Sequence, residues 1–167
     1  MTISFHRQHE ILIDAPAETI YDVICNPNFR PLWCEASIRT EAPDRPLKRR
    51  ETFREEWRRR RGIVVLKWVV LDDDRPDSWT IRADTDLLGP IVIRYCLSPE
   101  GAATRCIEHV SNPRRPSDPS PDQLKRIDEE AIAGLAGLKQ LVEQRVRTHQ
   151  RSDTASTRST IKGERPR

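Results

Sequence analysis

Acid and base chemistry in this chain would fall to a few carboxylates and one histidine set among aromatic residues. Glu55 shares the alternation of Phe53 and Trp57, whereas Thr52, Arg54, Glu56 and Arg58 form a wholly polar set between them. In an extended strand Glu55 therefore faces the same way as the two aromatics. Glu108 and His109 are neighbours on a second extended segment, 104–110. Alternation alone leaves open whether Cys106, Glu108 and Val110 face inward or Arg105, Ile107 and His109 do. A carboxyl group held out of water has its pKa raised, and two that face each other push their pKa values apart, so that one suits a base and the other an acid. Enolisation and dehydration of a ketone need such a pair. With the opposite register His109 takes the base role, with an ordinary pKa already close to neutral. The structural alternatives are salt bridges, Glu55 with Arg59 and Glu108 with an arginine, and a surface position for His109 beside Arg105.

Other residue types narrow the chemistry. No two His, Cys, Asp or Glu residues stand at a recognised metal-ligand spacing, so no metal is expected. His6 and His9 lie at the N-terminus, and His149 opens the C-terminal tail. Cys25, Cys34, Cys96 and Cys106 are expected as free thiols, and Asp72, Asp73 and Asp74 before Arg75-Pro76 as a solvated turn. Trp33, Trp57, Trp68 and Trp79 either stack on a flat ligand or fill an ordinary core. Lys48 to Arg61 contains eight basic and three acidic side chains. The run Arg58–Arg61 is a solvated hairpin or a docking patch for an acidic partner such as an acyl carrier protein. No aromatics alternate with it on the wet face, so nucleic acid is not expected.

These residues need elements to hold them, and 167 residues suffice for one core. Glu10–Ile13 reads as a short strand. Asp14-Ala15-Pro16 then starts a helix to about residue 25, with Ile20, Val23 and Ile24 on one face. Asn26-Pro27-Asn28 and Pro31 break it and leave a second short helical turn over 29–33. Segments 51–59, 63–71, 79–84, 91–97 and 104–110 follow with period two and short turns, which makes an antiparallel sheet; Leu66, Trp68 and Val70 face in, with Lys67 outside. Ser120-Pro121-Asp122-Gln123 is a capping box, and Leu124, Ile127, Ala131, Leu135, Leu138, Val142 and Val146 recur behind it at helical spacing. The helix they predict ends near 147. Residues 148–167 hold five basic and two acidic side chains among Ser and Thr and are expected as a disordered tail.

The order of these elements, with Ile11-Leu-Ile-Asp-Ala-Pro16, Ile20-Tyr-Asp-Val23, Asn26-Pro27, Pro31-Leu-Trp33, Gly101-Ala-Ala-Thr104 and Leu135-Ala-Gly-Leu-Lys139 through Glu143, resembles the helix-grip superfamily called SRPBCC. That superfamily includes START lipid-binding domains, the birch pollen allergen and polyketide cyclases/dehydrases. The resemblance covers about residues 8–147. It implies an α+β fold in which a curled antiparallel sheet of about six to seven strands, two short helices and one long C-terminal helix enclose a mostly apolar cavity. Lys67-Trp68, Thr80-Ile-Arg-Ala83 and Leu88-Gly89-Pro90 look most like bacterial aromatic polyketide aromatase/cyclases, which promote aldol closure and dehydration. Their three proposed catalytic positions fall at Asp72, Ser37 and Gly134 here, and none of those side chains is kept. The chamber positions do correspond at Trp68, Tyr95 and Glu108. The resemblance also places Cys106, Glu108 and Val110 inward, Cys96 outward, and Glu108 opposite Glu55.

The expectation is thus a helix-grip domain over 1–147 acting without a cofactor on a hydrophobic, carbonyl-rich molecule. Glu108 and Glu55 are its acid/base candidates and Tyr95 its hydrogen-bond donor to an enolate. Trp33, Phe53, Trp57, Leu66, Trp68, Trp79, Ile93, Cys106 and Gly134 are the candidate ligand contacts. The alternative is a module that binds a lipid or other apolar metabolite unchanged. A cytoplasmic location is expected from the absence of a signal-like or membrane-spanning apolar run, and an exposed edge strand would permit a homodimer.

Overall fold

The computed structural model describes the backbone of residues 1–161 and the side chains of residues 1–158. In chain order it contains β1 (Ile3–Ile13), α1 (Ala17–Ile24), a 3-10 turn (Pro27–Phe29), α2 (Arg30–Trp33), β2 (Ser37–Glu41), β3 (Thr52–Arg59), β4 (Gly62–Asp74), β5 (Ser78–Thr85), β6 (Gly89–Glu100), β7 (Ala103–Arg115) and α3 (Pro121–Ile161). The strands form a single antiparallel sheet in the order β1-β7-β6-β5-β4-β3-β2. Its first and last strands in sequence terms are joined directly, because β1 pairs with β7 along almost its whole length. The α+β helix-grip architecture expected from the sequence is the one observed.

Local chemistry accounts for the turning points. Asn26 accepts a hydrogen bond from the Asn28 backbone N–H at 3.1 Å, which starts the 3-10 turn where Pro27 has already fixed the backbone. The capping box forms as the sequence predicts: Gln123 N–H donates to Ser120 Oγ at 3.2 Å and Ser120 N–H to Gln123 Oε1 at 2.9 Å. Leu135, Leu138 and Val142 of α3 are fully buried against the sheet and α1. Phe53, Trp68 and Trp79 stack in the core at centroid separations of 6.3 and 6.5 Å about Phe53. At Gly137 a side chain could not be accommodated, since a Cβ there would stand 2.4 Å from the Trp33 carbonyl oxygen. That glycine lets α3 approach α2 closely and so fixes where Trp33 and its helix sit.

Four expectations are corrected. The first strand begins at Ile3 rather than Glu10, because its alternation of inward and outward residues continues back through Phe5. A further strand, β2, pairs with β3 at the edge; it is short and mostly half-exposed, so its hydrophobic pattern is weak. Asp72, Asp73 and Asp74 are not a solvated turn but the end of β4, paired with Thr80, Trp79 and Ser78, and the turn comes after them at Arg75-Pro76. The long helix does not stop near residue 147. It runs to Ile161, so the segment expected as a disordered tail is helical as far as 161, with the side chains of 148–158 exposed, and residues 162–167 lie outside the described residues. Successive Ser and Thr hydroxyls along that extension bond back to carbonyls four residues earlier, as at Thr148, Ser152, Thr154 and Thr157. Among the described residues no helix is long and apolar enough to cross a membrane.

Candidate functional site

Between the sheet, α2 and α3 lies a cavity of about 250 Å³. Its walls are mostly apolar: Trp33 from α2, Trp57 from β3, Leu66 and Trp68 from β4, Ile93 and Tyr95 from β6, Val110 from β7 and Gly134 from α3. The polar side chains on its lining are Arg30, Glu35, Arg59, Thr85, Tyr95, Glu108, Asn112, Arg115 and Glu130. A concave apolar site with a few convergent polar groups is the form that small-molecule sites take.

Alternation decides the orientation of the last strand. Cys106 and Glu108 are buried and Val110 is half-buried on the cavity side, so the register with Glu108 inward is the one formed. His109 turns to the outer face, where it meets His6 with ring nitrogens 3.3 Å apart. Glu108 sits in a lateral row, paired with Tyr95 of β6 on one side and with His9 of β1 on the other. Burial raises the Glu108 pKa; the Tyr95 hydroxyl, Arg30 and His9 oppose that rise. Burial, with Glu108 next to it, also drives the Tyr95 phenol well above its usual pKa. Burial thus shifts both groups towards their neutral, proton-bearing forms.

Glu55 plays a different part from the one expected. It is fully buried but does not line this cavity, and its partner is neither Arg59 nor Glu108. Arg30 Nε donates to Glu55 Oε1 at 2.8 Å, and Trp68 Nε1 donates to Glu55 Oε2 at 2.7 Å. Both carboxylate oxygens are thus engaged by buried donors, and Glu55 does not face the cavity where a substrate would sit. Arg30 is the polar cavity residue that sequence reasoning missed. It is 1% exposed and its guanidinium carbon lies 5.5, 6.0 and 5.9 Å from the ring centroids of Trp33, Trp57 and Trp68. Burial works to lower its pKa, and the Glu55 carboxylate beside it more than compensates, so it stays protonated. The signal lay in the spacing: Arg30 and Trp33 stand three apart on one face of α2, both buried, while Leu32 between them is exposed.

Arg30 Nη1 and Trp33 Nε1 are buried donors with no hydrogen-bond partner among the described residues. Both side chains line the cavity. A ligand oxygen placed there would satisfy donors that otherwise carry a desolvation cost. The remaining candidates divide clearly. Trp33, Trp57, Leu66, Trp68, Ile93, Tyr95, Glu108 and Gly134 line the cavity, whereas Phe53, Trp79 and Cys106 do not. Phe53 and Trp79 belong to the stacked core, where Trp79 Nε1 donates to the Leu47 carbonyl at 3.3 Å. Cys106 is wholly buried, its thiol pushed up to about 12 by burial first and the nearby Glu108 second, so it stays protonated and unreactive. Cys96 and Cys106 fall on opposite faces of the β6–β7 hairpin, and all four cysteines are free thiols.

No sequence-family model matches the chain, and no curated protein sequence matches it significantly. Solved structures do. The Zhui aromatase/cyclase from Streptomyces sp. R1128 is 15% identical and superposes with a TM-score of 0.71 over 86% of this chain and 96% of its own. A START superfamily protein from Mycobacterium smegmatis is 19% identical, with a TM-score of 0.67 over 83% of this chain and 97% of its own. The crystal structure of Ara h 8.0201, at 10% identity, gives a TM-score of 0.66 over 84% and 99%. At these identities the likeness is one of architecture, and it agrees with the sheet order, the two short helices and the long helix described above. The chain has the helix-grip fold that these structures share.

Proposed function

We propose that the cavity receives a small, mostly apolar molecule bearing a ketone oxygen, and that Glu108 exchanges a proton with it in a cofactor-independent enolisation or dehydration of the polyketide cyclase/dehydratase type. The observation that carries this reading is the state of Glu108: a carboxyl group buried on an apolar cavity wall and engaged in no ion pair among the described residues. Such a group costs stability when buried, and a purely apolar ligand would give it no partner. Its neighbours supply what the reaction needs. A ketone oxygen near Arg30 Nη1 and Trp33 Nε1 would gain donors as it becomes an enolate, and the Tyr95 hydroxyl is a further donor beside Glu108. Likeness to an aromatase/cyclase, and to a di-domain ARO/CYC from the steffimycin biosynthetic pathway at a TM-score of 0.70, supports the same class of chemistry. At about 250 Å³ the cavity falls just below the range of roughly 300–1,000 Å³ usual for small-molecule pockets, so the molecule it encloses is of one- or two-ring size.

Delivery by a carrier protein is part of the proposal. Arg59 lines the cavity and belongs to the basic turn Arg58–Arg61, whose other members are exposed, so an acidic carrier docked there would present a tethered substrate close to the site. A second reading, binding without turnover, draws on the commitment of Glu55 to Arg30 and Trp68, which leaves one carboxyl where an acid/base pair was expected. Native mass spectrometry of protein purified from its own host, followed by extraction, separates the two readings. The catalytic reading predicts that a keto precursor of the extracted compound is consumed by the wild type and is bound but not converted by Glu108→Gln. Stoichiometric binding of a compound that neither protein converts contradicts it.

A further inference from the structure

We propose that His9, oriented by Asp128, accepts the Glu108 proton and so switches that carboxyl between its acid and base forms; the proposal builds on the role for Glu108 given above. Four placements in the fold lead to it. The β1–β7 register sets His9 directly opposite Glu108, and both side chains lie on the inner side of the sheet, with His9 10% exposed at its side chain. Directly opposed residues of an antiparallel pair have Cβ atoms about 4.5–5.5 Å apart, within reach for an imidazole and a glutamate. His9 Nε2 is 2.8 Å from Asp128 Oδ1 on α3, and Arg7 donates to both oxygens of the same carboxylate. His9 Nδ1 is buried and has no hydrogen-bond partner among the described residues.

These placements fix the proton count. Asp128, kept well ionised by its bonds from Arg7 and His9, accepts from His9 Nε2, so the neutral ring carries its proton there and presents a bare lone pair at Nδ1. The transfer moves one proton from the Glu108 carboxyl to Nδ1. It leaves a carboxylate facing the cavity and an imidazolium whose Nε2–H stays on Asp128, and its reversal restores both neutral groups. Charge is conserved and no co-reactant is needed. The remaining groups around Glu108 are Tyr95 from β6, Arg30 and Cys34 from the α2 end, and Cys106 on its own strand. Arg30 is committed to Glu55, Tyr95 and the thiols are held protonated, and Glu130 and Arg126 of α3 influence each other. His9 Nδ1 is a buried ring nitrogen with no partner among the described residues, on the residue that pairs with Glu108. His9 acts through Glu108 and is a positioning residue rather than a catalytic one.

The full-length protein, labelled with 15N in histidine and 13C in glutamate carboxyl groups, tests this by NMR titration without any ligand. The proposal predicts that neutral His9 carries its proton on Nε2, and that His9→Gln moves the Glu108 midpoint upward by about half a pH unit or more, because a group that favours the ionised carboxyl is gone. Asp128→Asn moves it the same way and serves where His9→Gln fails to fold, with the His6 resonances as internal reference. An unmoved Glu108 midpoint in a folded variant overturns the proposal, as does a neutral His9 protonated on Nδ1. The functional reading fails differently, through turnover that survives Glu108→Gln while these titrations still shift.

Discussion

Arg30 Nε and Glu55 Oε1 stand 2.8 Å apart with both side chains essentially out of water, at 1% and 0% exposure. The pair joins α2 to β3 beneath the cavity, and Trp68 Nε1 completes the carboxylate's bonding. Removing either partner leaves an uncompensated buried charge, which costs about 3–5 kcal/mol, whereas replacing both with apolar residues of similar size costs far less. Glu55→Leu and Arg30→Met should each lose roughly that amount in urea unfolding, and the double variant should be more stable than either single one.

The two glycines of α3 near the site predict opposite outcomes. At Gly134 a Cβ would meet nothing within 4 Å, while at Gly137 it would stand 2.4 Å from the Trp33 carbonyl oxygen. Gly134→Ala should therefore stabilise the protein by about 0.5–1 kcal/mol through helix propensity alone. Gly137→Ala should destabilise it by about 1–3 kcal/mol, since α2 has to move. Chemical denaturation of the two variants side by side reads the difference. A larger residue at Gly134 occupies the cavity it lines, so Gly134→Leu should fold and lose ligand binding.

The pH dependence of stability should carry a signature of Glu108. Burial raises its pKa in the folded protein, so the folded state holds this proton more tightly than the unfolded chain does. The stabilisation is complete below the usual carboxylate range and is lost as pH rises through that range towards the raised value. Glu108→Gln has no proton to lose. The stability difference between variant and wild type, measured by urea unfolding at a series of pH values, should shift in the variant's favour as pH rises from 4 to 8, and a flat difference would show Glu108 to be ordinary.

Much of this architecture was legible in the sequence, because the elements that carry it obey strong periodicities. The alternation of Leu66, Trp68 and Val70 and the helical spacing of Leu135, Leu138 and Val142 report burial directly, and the capping box at Ser120 and Gln123 marks where the helix starts. The site was legible at Glu108 and Tyr95, which share parity with their strands' apolar residues once the register is known. Arg30 and His9 were not, for physical reasons. A buried arginine violates the hydrophobic pattern, and only its distant partner Glu55, 25 residues along the chain, makes its burial tolerable. His9 lies before the residue where the apolar signal of β1 becomes continuous, although the parity of Ile11 and Ile13 extends back to it. The helical state of this C-terminal extension was hidden because the exposed, mostly polar side chains of 148–158 give no amphipathic stripe.

Deuterium exchange into a simple aryl ketone tests the central claim most directly, because it needs no knowledge of the natural substrate. 1-Tetralone, a two-ring ketone of the size the cavity suits, exchanges its α-hydrogens in heavy water by the enolisation assigned to Glu108. The wild-type protein should accelerate deuterium incorporation, and Glu108→Gln should lose that acceleration by about a hundredfold or more, the usual contribution of a positioned acid or base. Equal incorporation with the wild type, with Glu108→Gln and with the cavity-filled Gly134→Leu would contradict it.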